Sequence, residues 1–388
     1  MHIVQPGYVI ARVDDDERGG PMTTASAVRQ ANARDCLLVL REAGAAVTVG
    51  ELAAATGLSR PTVDAVLADL LGAGAIAAAP AATSGAAGRP ARRFIFAPDV
   101  ASVAALDIGA RTVRCRVTDA SGRTLAQSAV PSDDAAPLDV LERAVRETGH
   151  RPGALGIAAP GILAADGRIA QSLAAPGLVG LDLAGALGER LGCPVAVEND
   201  IKLAALAEHH LGEEAESILF VQLGHRISVA SILGGTILQG AHRLAGELGS
   251  QRGMRWTDSS TRGRLQWSTG EEARPLLERA AQGDGPSQRE IAEFCAQIAP
   301  RLATVLLTLD PERVVVGGGL SRAGETLLEP LRRALGDLLM TGHAPEVVGA
   351  RLTTDGALVG ALGLAFAHGS DQLVGVPEVP APWKHLTP

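Results

Sequence analysis

Aromatic residues are scarce in this sequence, at 2 % of 388 positions, although hydrophobic residues make up 46 %. The core must therefore be built from alanine, valine, leucine and isoleucine, and the chain is long enough for two or three domains. Cysteine is also rare, with four widely spaced residues and no Cys-x-x-Cys pair: Cys36, Cys115, Cys193 and Cys295. That spacing excludes a zinc knuckle and a redox dithiol, and it predicts buried thiols in a reducing cytoplasm.

Long apolar runs and a signal peptide are missing as well. No apolar run approaches the ~18 residues that a membrane span requires, so we expect a cytoplasmic protein that makes no contact with a membrane. The net charge of −8 argues against a protein that coats nucleic acid without sequence preference, because attraction to phosphates needs positive charge. Residues 1–24 contain an acidic cluster and no amphipathic period, which predicts a disordered tail.

Residues 25–98 have the pattern of three helices followed by a β-hairpin. Apolar residues recur at helical spacing over residues 26–43. Thr48 can cap a second helix that Gly57 ends, and Ser59 can cap a third helix. A helix, a tight turn that contains glycine and another helix are typical of the helix-turn-helix motif.

The third helix is expected to read DNA with its first turns. Its predicted buried stripe is Val63, Val66, Leu67, Leu70 and Leu71. Short polar side chains on its exposed side suit base edges and phosphates in the major groove. The predicted contacts are Ser59, Arg60, Thr62, Val63 and Asp64.

Two extended segments, residues 75–79 and 92–97, flank a stretch rich in glycine, serine and alanine and predict a wing. Arg89 lies in a Gly-Arg-Pro segment, and with Arg92 and Arg93 it suits a narrow minor groove. Three helices alone would equally fit a plain bundle or a protein-docking domain. The wing and its arginines favour DNA.

Beyond residue 98, strands and helices alternate, which predicts an α/β domain. One strand ends in Asp107-Ile108-Gly109, a carboxylate and a glycine at a hairpin turn, as in the phosphate and magnesium site of actin-type kinases. Another strand leads into Glu198-Asn199-Asp200 at the start of a helix, the usual edge for ligands in α/β sheets. Asn199 and Asp200 can grip the hydroxyls of a sugar, or they can simply cap the helix.

These segments together resemble the ROK family (repressors, open reading frames, kinases), and in particular its regulators, over about residues 25 to 370. The resemblance rests on five motifs in order: Leu106-Asp107-Ile108-Gly109-Ala110, Gly156-Ile157-Ala158-Ala159-Pro160-Gly161, Val197-Glu198-Asn199-Asp200, Gly246-Glu247-Leu248-Gly249 and Val315-Val316-Gly317-Gly318-Gly319-Leu320-Ser321. It implies a multidomain fold: an N-terminal winged helix (α+β), then a two-lobed α/β actin-like ATPase, or sugar kinase-like, domain. The expected boundaries are 25–98 for the winged helix, 99–370 for the two-lobed sensor and 371–388 for a C-terminal tail.

The resemblance also implies a sugar site made of Gly161, Asn199, Asp200 and Glu247, with Asp200 at the position of the kinases' catalytic base. Ser250 replaces the histidine that contacts the sugar and binds zinc in the family, and Gln266 stands where a sugar-binding glutamate would. The stretch 253–270 lacks the family's cysteines, so we expect no zinc and no other cofactor.

The nucleotide site implied by the resemblance comprises Asp107, Gly109, Gly317, Gly318 and Gly319. We expect it to be vestigial, because the turn Gly224-His225-Arg226 replaces a glycine-rich phosphate loop of the kinases. Asp200 is then only the remnant of a catalytic base, since phosphoryl transfer depends on positioning and electrostatics.

Three functions remain open at this point. The leading hypothesis is a regulator, not an enzyme, that binds a double-stranded operator as a homodimer or homotetramer and senses a small carbohydrate in its cleft. The alternative is an ATP-dependent sugar kinase with an accessory DNA-binding domain. The third is a scaffold derived from a kinase whose first domain docks protein.

Overall fold

The computed structural model describes residues 24–80, 91–132, 136–212, 215–261, 263–340 and 344–387. The predicted disordered tail, residues 1–24, lies outside these ranges except for Thr24, which begins the first helix. In the described part a winged helix precedes two α/β lobes, so the predicted fold class is confirmed.

The winged helix consists of three helices and a small antiparallel sheet. The helices are α1 (Thr24–Ala43), α2 (Val49–Thr56) and α3 (Arg60–Gly72), and the strands are β1 (Val47–Thr48), β2 (Ile76–Ala79) and β3 (Arg93–Phe96). The strand order is β1-β3-β2, so the predicted hairpin is confirmed and β1 adds a strand that we did not predict.

Hydrogen bonds from capping side chains set the start of α2 and the start of α3, on either side of the turn between them. The backbone N–H of Glu51 donates to Thr48 Oγ1 at 3.2 Å, and the Thr48 N–H donates to Glu51 Oε2 at 2.7 Å, which forms a capping box. Gly57 ends α2 with a φ of 72°, and Ser59 Oγ accepts from the Thr62 N–H at 3.3 Å. These three predicted helix ends are confirmed.

The buried stripe of α3 differs from the prediction at one position. Val63, Val66, Leu67 and Leu70 are buried, whereas Leu71 is 40 % exposed. The prediction for Leu71 is wrong because this residue lies one position beyond Leu70, about 100° further around the helix.

Each lobe is built on a five-stranded sheet. The strands of lobe 1 are β4 (Ser102–Ile108), β5 (Thr112–Asp119), β6 (Thr124–Pro131), β7 (Ala154–Ala159) and β10 (Val195–Asn199), in the order β10-β7-β4-β5-β6. Strands β4, β5 and β6 are antiparallel, and β7 and β10 continue the sheet in parallel with β4. Lobe 1 also contains the helices α4 (Pro137–Glu147) and α5 (Leu183–Leu191) and the short hairpin β8 (Ile162–Leu163) and β9 (Ile169–Gln171).

Lobe 2 repeats this topology. Its strands are β11 (Ile218–Leu223), β12 (Ile227–Leu233), β13 (Thr236–Ile237), β14 (Arg313–Gly317) and β15 (Glu346–Gly349), in the order β13-β12-β11-β14-β15. Its helices are α7 (Arg274–Ala281), α8 (Gly285–Leu309) and α9 (Glu325–Gly336). Among the described helices, α8 alone is long and apolar enough to cross a membrane, but it packs on α7 and α9 in the core of lobe 2.

Two helices, α6 (Asp200–Leu211) and α10 (Gly356–Val374), lie between the lobes. Helix α10 packs on β4, β7 and α6, while α6 also contacts β11 and β12. A Cβ atom on Gly156 of β7 would overlap with the carbonyl oxygen of Ala361, and one on Gly360 would overlap with that of Leu203. The main chains of β7, α10 and α6 are therefore in direct contact, which only glycine permits.

The residues after α10 fall in the predicted C-terminal tail 371–388 but pack on the protein, and α10 crosses the predicted boundary at 370. Helix α10 continues to Val374, and the segment that follows, residues 375–387, is called the C-terminal strap below. Its buried side chains are Val376, Val379, Ala381, Trp383 and Leu386. These side chains join a single hydrophobic core that includes Leu37 and Phe96 of the winged helix and Phe366 of α10. Burial of this apolar surface holds the winged helix against α10 and the C-terminal strap.

Gly156→Ala should destabilise the protein by about 3 kcal/mol, because the added methyl group forces β7 and α10 apart. Chemical denaturation of the full chain measures the loss. Gly336→Ala is the matched control, since a Cβ atom there meets open space at the end of α9. Equal stability of the two variants would contradict the proposed main-chain contact.

Candidate functional site

The first candidate site is the exposed start of α3. Ser59, Arg60 and Asp64 are exposed, and Thr62 is half-buried. The hydroxyl groups of Ser59 and Thr62 lie 2.8 Å apart and form a hydrogen bond with each other. Each hydroxyl group therefore has fewer hydrogen-bonding positions left for a base edge. The prediction that Val63 contacts DNA is wrong, because its side chain is fully buried in the domain core.

Arginines on this face are partly neutralised by the protein itself. Arg92 of the wing pairs with Asp64 of α3, and Arg29 of α1 pairs with Asp69 of α3 at 2.6 Å. Arg93 donates to the carbonyl oxygen of Ala46 at 2.6 Å and so ties β3 to the turn before β1. Arg60 is thus the exposed cation at the start of α3, and the predicted contact Arg89 lies outside the described residues.

The second candidate site is the cleft between the lobes, where α6 begins. Asn199 is the N-cap of α6: its Oδ1 accepts from the N–H groups of Ile201 and Lys202, both at 3.0 Å. Its Nδ2 donates to the carbonyl oxygen of Gly161 at 2.9 Å. One amide hydrogen of Asn199 is left for a ligand, so capping is its main role.

Asp200 lies beside two other carboxylates in this cleft. Burial, together with the charges of Asp107 and Glu247, raises the pKa of Asp200 from 3.8 to about 7. Burial also raises the pKa of Glu247, opposed by Lys202 and by a hydrogen bond from the side chain of Ser250. Near neutral pH, Asp200 can therefore both accept and donate a hydrogen bond, as a polyhydroxyl ligand requires.

Four polar residues beside this site were missed by the sequence analysis. Glu198 is buried, and its Oε2 accepts from Gln239 Nε2 at 2.6 Å and pairs with Arg243 at 3.5 Å. Lys202 Nζ is buried and contacts Gln239 Oε1 at 3.4 Å. In the sequence, the position of Lys202 among the apolar residues of α6 could have indicated this polar cluster. Gln266, a predicted ligand contact, forms no hydrogen bond to the cleft carboxylates within the described ranges; only its backbone carbonyl is bonded, to Ser259.

An arginine occupies the end of the cleft where a nucleotide phosphate is expected. Arg114 of β5 donates to Asp107 Oδ2 at 2.7 Å and to Asp355 Oδ1 at 2.6 Å, and so bridges the end of β4 and the start of α10. Burial raises the pKa of Asp107, and Arg114 opposes the shift. The carboxylate expected to hold magnesium is therefore already paired with a cation of the protein.

Three glycines of the expected nucleotide site, Gly109, Gly317 and Gly318, make close contacts within the protein, whereas a Cβ atom on Gly319 would meet open space. A Cβ atom on Gly317 would meet the ring of Phe220 at 2.5 Å, and Gly318 has a φ of 85° against the carbonyl oxygen of Leu223. Gly109 closes the β4–β5 turn, with its N–H donating to the Thr112 carbonyl oxygen at 3.0 Å. In the turn at His225, the carbonyl oxygen of His225 accepts a hydrogen bond from the Leu265 N–H at 2.9 Å. These loops are closed by the protein's own contacts.

The residues in place of the family's zinc site do not fit that metal. Ser250 offers a hydroxyl that already bonds Glu247, and the four cysteines are buried in separate parts of the chain. No group of three or more histidine, cysteine or acidic residues suited to a metal occurs in the ranges that the structure describes. Zinc prefers thiolate and imidazole ligands, and the position of the family's histidine supplies only the hydroxyl of Ser250.

Two family profiles match the chain. That of the ROK family matches residues 103–254 and 250–368, and that of the IclR helix-turn-helix domain matches residues 31–80. The chain belongs to the ROK family. This ROK protein therefore carries a helix-turn-helix domain in front of a sugar-kinase fold, as its motifs indicate.

Its relatives include kinases and a regulator. The bifunctional enzyme NanE/NanK of Brucella melitensis is 30 % identical over 194 residues, which are 47 % of this chain and 37 % of that enzyme. A glucokinase of Streptomyces coelicolor is 27 % identical over 67 % of this chain and 96 % of its own length. A ROK family transcriptional regulator, a homologue of the E. coli MLC protein, shares the fold with a TM-score of 0.70 at 19 % identity, over 91 % of this chain and 99 % of the regulator.

Asp200→Asn should stabilise the ROK protein more at about pH 8 than at about pH 5, by about 2 kcal/mol. The folded state binds a proton that the unfolded chain has released between these values, so wild-type stability falls as the pH rises through this window. Thermal unfolding of both proteins at the two pH values measures the difference. Asp166→Asn, in the exposed turn between β8 and β9, is the control for the loss of one carboxylate. An equal gain from Asp200→Asn at both pH values would contradict the raised pKa.

Proposed function

We propose that the protein is a sequence-specific DNA-binding regulator of transcription whose sugar-kinase-like domain binds a small carbohydrate effector. The observation that carries this proposal is the common hydrophobic core of the winged helix, α10 and the C-terminal strap. A DNA-reading domain built into the body of the sensor can respond to a change in the cleft. A domain on a loose linker could not.

The Arg114 bridge supports a sensor that is not a kinase. Phosphoryl transfer needs a magnesium ion and phosphates beside Asp107, and this space is taken by a guanidinium group that also holds Asp355. Asp200, at the position of the base, keeps a polar cleft for hydroxyl groups. The cleft therefore favours binding of a neutral sugar without transfer of a phosphate.

The proposed contacts combine these geometries with the predictions from the sequence. On DNA, Arg60 and the wing arginines Arg89, Arg92 and Arg93 approach phosphates and the minor groove, while Ser59 and Thr62 face the major groove. Asp64 lies on the same face and holds Arg92 in a salt bridge. In the cleft, Asp200, Glu247 and Ser250 contact the effector, with a smaller part for Asn199. A homodimer or homotetramer would place two winged helices on a palindromic operator in the cytoplasm, most simply as a repressor of carbohydrate-related genes.

A sugar kinase with an accessory DNA-binding domain is the second candidate, favoured by the kinase relatives and by the intact Asp200. ATP consumption with D-glucose, N-acetyl-D-glucosamine and N-acetyl-D-mannosamine tests it. We expect no turnover from the wild-type chain. Sugar-dependent turnover that Asp200→Asn abolishes would replace the regulator proposal.

Operator binding is the direct test of the regulator proposal. Fluorescence anisotropy of the full chain with the DNA upstream of its own gene, at two salt concentrations, should show saturable binding that exceeds binding to scrambled DNA. The same three sugars, added in turn, should include one that shifts the affinity. Binding without preference for the upstream DNA would contradict the proposal.

Charge changes on α3 should move the DNA affinity in opposite directions. Arg60→Ala removes a phosphate contact and should weaken binding by about tenfold. Asp64→Ala removes a repulsive carboxylate and frees Arg92, and should strengthen binding by about threefold and steepen its salt dependence. Arg333→Ala, which breaks an exposed pair on α9, is the control. Weaker binding by Asp64→Ala would show that the Asp64–Arg92 pair itself positions the wing.

A further inference from the structure

A series of ion pairs, called the charged chain below, begins at Asp107 in the cleft and extends away from it. Arg114 links Asp107 to Asp355 with bonds of 2.7 and 2.6 Å. The second oxygen of Asp355 pairs with Arg116 at 3.2 Å, so one carboxylate holds two guanidinium groups. Because Arg114 and Arg116 alternate with Cys115 along β5, both point to the same face of the sheet.

Arg116 carries this chain to the C-terminal strap. Its side chain is 3 % exposed, and its Nη1 donates to the carbonyl oxygen of Leu386 at 3.3 Å. A buried guanidinium group is costly unless its donors are satisfied, so Arg116 depends on both Asp355 and the strap. The position of Leu386 is thereby tied to the end of the cleft.

The strap continues the connection to the winged helix. Arg41 of α1 donates to the carbonyl oxygen of Pro380 at 2.8 Å, and Arg34 of the same helix pairs with Glu378 at 3.2 Å. Between these contacts lies a cavity of about 10 Å³, bounded by Leu37, Phe366 and Val379 among others. The strap is the element that contacts Arg116 on one side and α1 on the other.

A second route reaches the strap through α6, which begins at the effector site. His210 in its last turn stacks on Trp383, with ring centroids 4.2 Å apart and an angle of 10° between the rings. Trp383 also covers Gly363 of α10, where no side chain would fit. Both ends of the cleft therefore converge on the strap.

The docked strap holds strain and unused donors. Thr353, beside the charged chain, and Glu378, in the strap, have φ angles of 44° and 57°, which side chains other than glycine's rarely adopt. Arg116 Nε and Trp383 Nε1 are buried and have no hydrogen-bond partner among the described residues. Each of these features lowers the stability of the docked state, which favours a strap that can be released.

We propose that the C-terminal strap transmits the state of the cleft to the DNA-binding domain, through the chain Asp107–Arg114–Asp355–Arg116 to Leu386 and from Pro380 to Arg41. A ligand that displaces Arg114 from Asp107 or Asp355 loosens the hold of Arg116 on the strap, and the strap then loosens its hold on α1. The two states are strap docked and strap released. This device rests on the proposed regulatory function for its use, but its mechanics do not require DNA or an effector.

Hydrogen exchange of the full chain, followed by mass spectrometry, tests the device. Arg114→Lys keeps the charge but cannot bridge two carboxylates, and Arg114→Met removes the bridge. We expect exchange in residues 376–387 and 34–43 to rise by about tenfold in either variant, while α8 in lobe 2 stays protected. Arg190→Lys is the matched control, because Arg190 also bridges two carboxylates of lobe 1, Asp139 and Glu142, at a distance from the strap.

The outcomes separate cleanly. A rise confined to the neighbourhood of residues 107–116 and 353–358 overturns the proposal, and so does an equal rise in α8, which would report general loss of stability. Arg116→Met should raise exchange in the same two segments, and adding Arg114→Met to it should add nothing. If the increases in exchange caused by the two substitutions added together, the proposed chain of charged groups would also be contradicted. Failure of operator binding would sink the regulator proposal and leave these exchange results unaffected.

Discussion

Direct contact between main chains sets the geometry on which the rest of this molecule depends. Helix α10 lies on β7 and α6 with glycines at Gly156 and Gly360, where a single methyl group would collide with a carbonyl oxygen. The start of α6 carries Asn199 and Asp200, the start of α10 follows Asp355, and the end of α10 leads into the strap. One packing constraint therefore places Asp200, the charged end of the cleft and the joint to the winged helix.

The charge pairing in the cleft differs from the pairing that a kinase site would need. The carboxylates suited to a kinase, Asp107 and Asp200, are still present, but Arg114 satisfies the first from within the protein. Asp200 has a raised pKa and pairs with no cation among the described residues. Under the proposed function, the cleft offers Asp200 to hydroxyl groups while Arg114 neutralises the carboxylate that would hold magnesium.

Local signals were predictable from the sequence, and contacts distant along the chain were not. Thr48, Gly57 and Ser59 act within four residues of themselves, so their roles follow from the sequence alone. Val63 was expected both in the buried stripe and on the DNA, and the core decides between them. The motif at Asp107 predicted the cleft, but its pairing with Arg114 and Asp355 depends on strand register and on a helix about 240 positions away. The packing of the segment predicted as a C-terminal tail likewise depends on contacts distant along the chain.

The joint between the domains also has a kinetic side. Arg34 and Glu378 meet across 344 positions of sequence, so we expect this contact to form late in folding. A folded winged helix with an undocked strap would then exist for a time. Under the proposed function, such a molecule would bind DNA without responding to the cleft, and the rate of strap docking would set how long a newly made copy stays in that state.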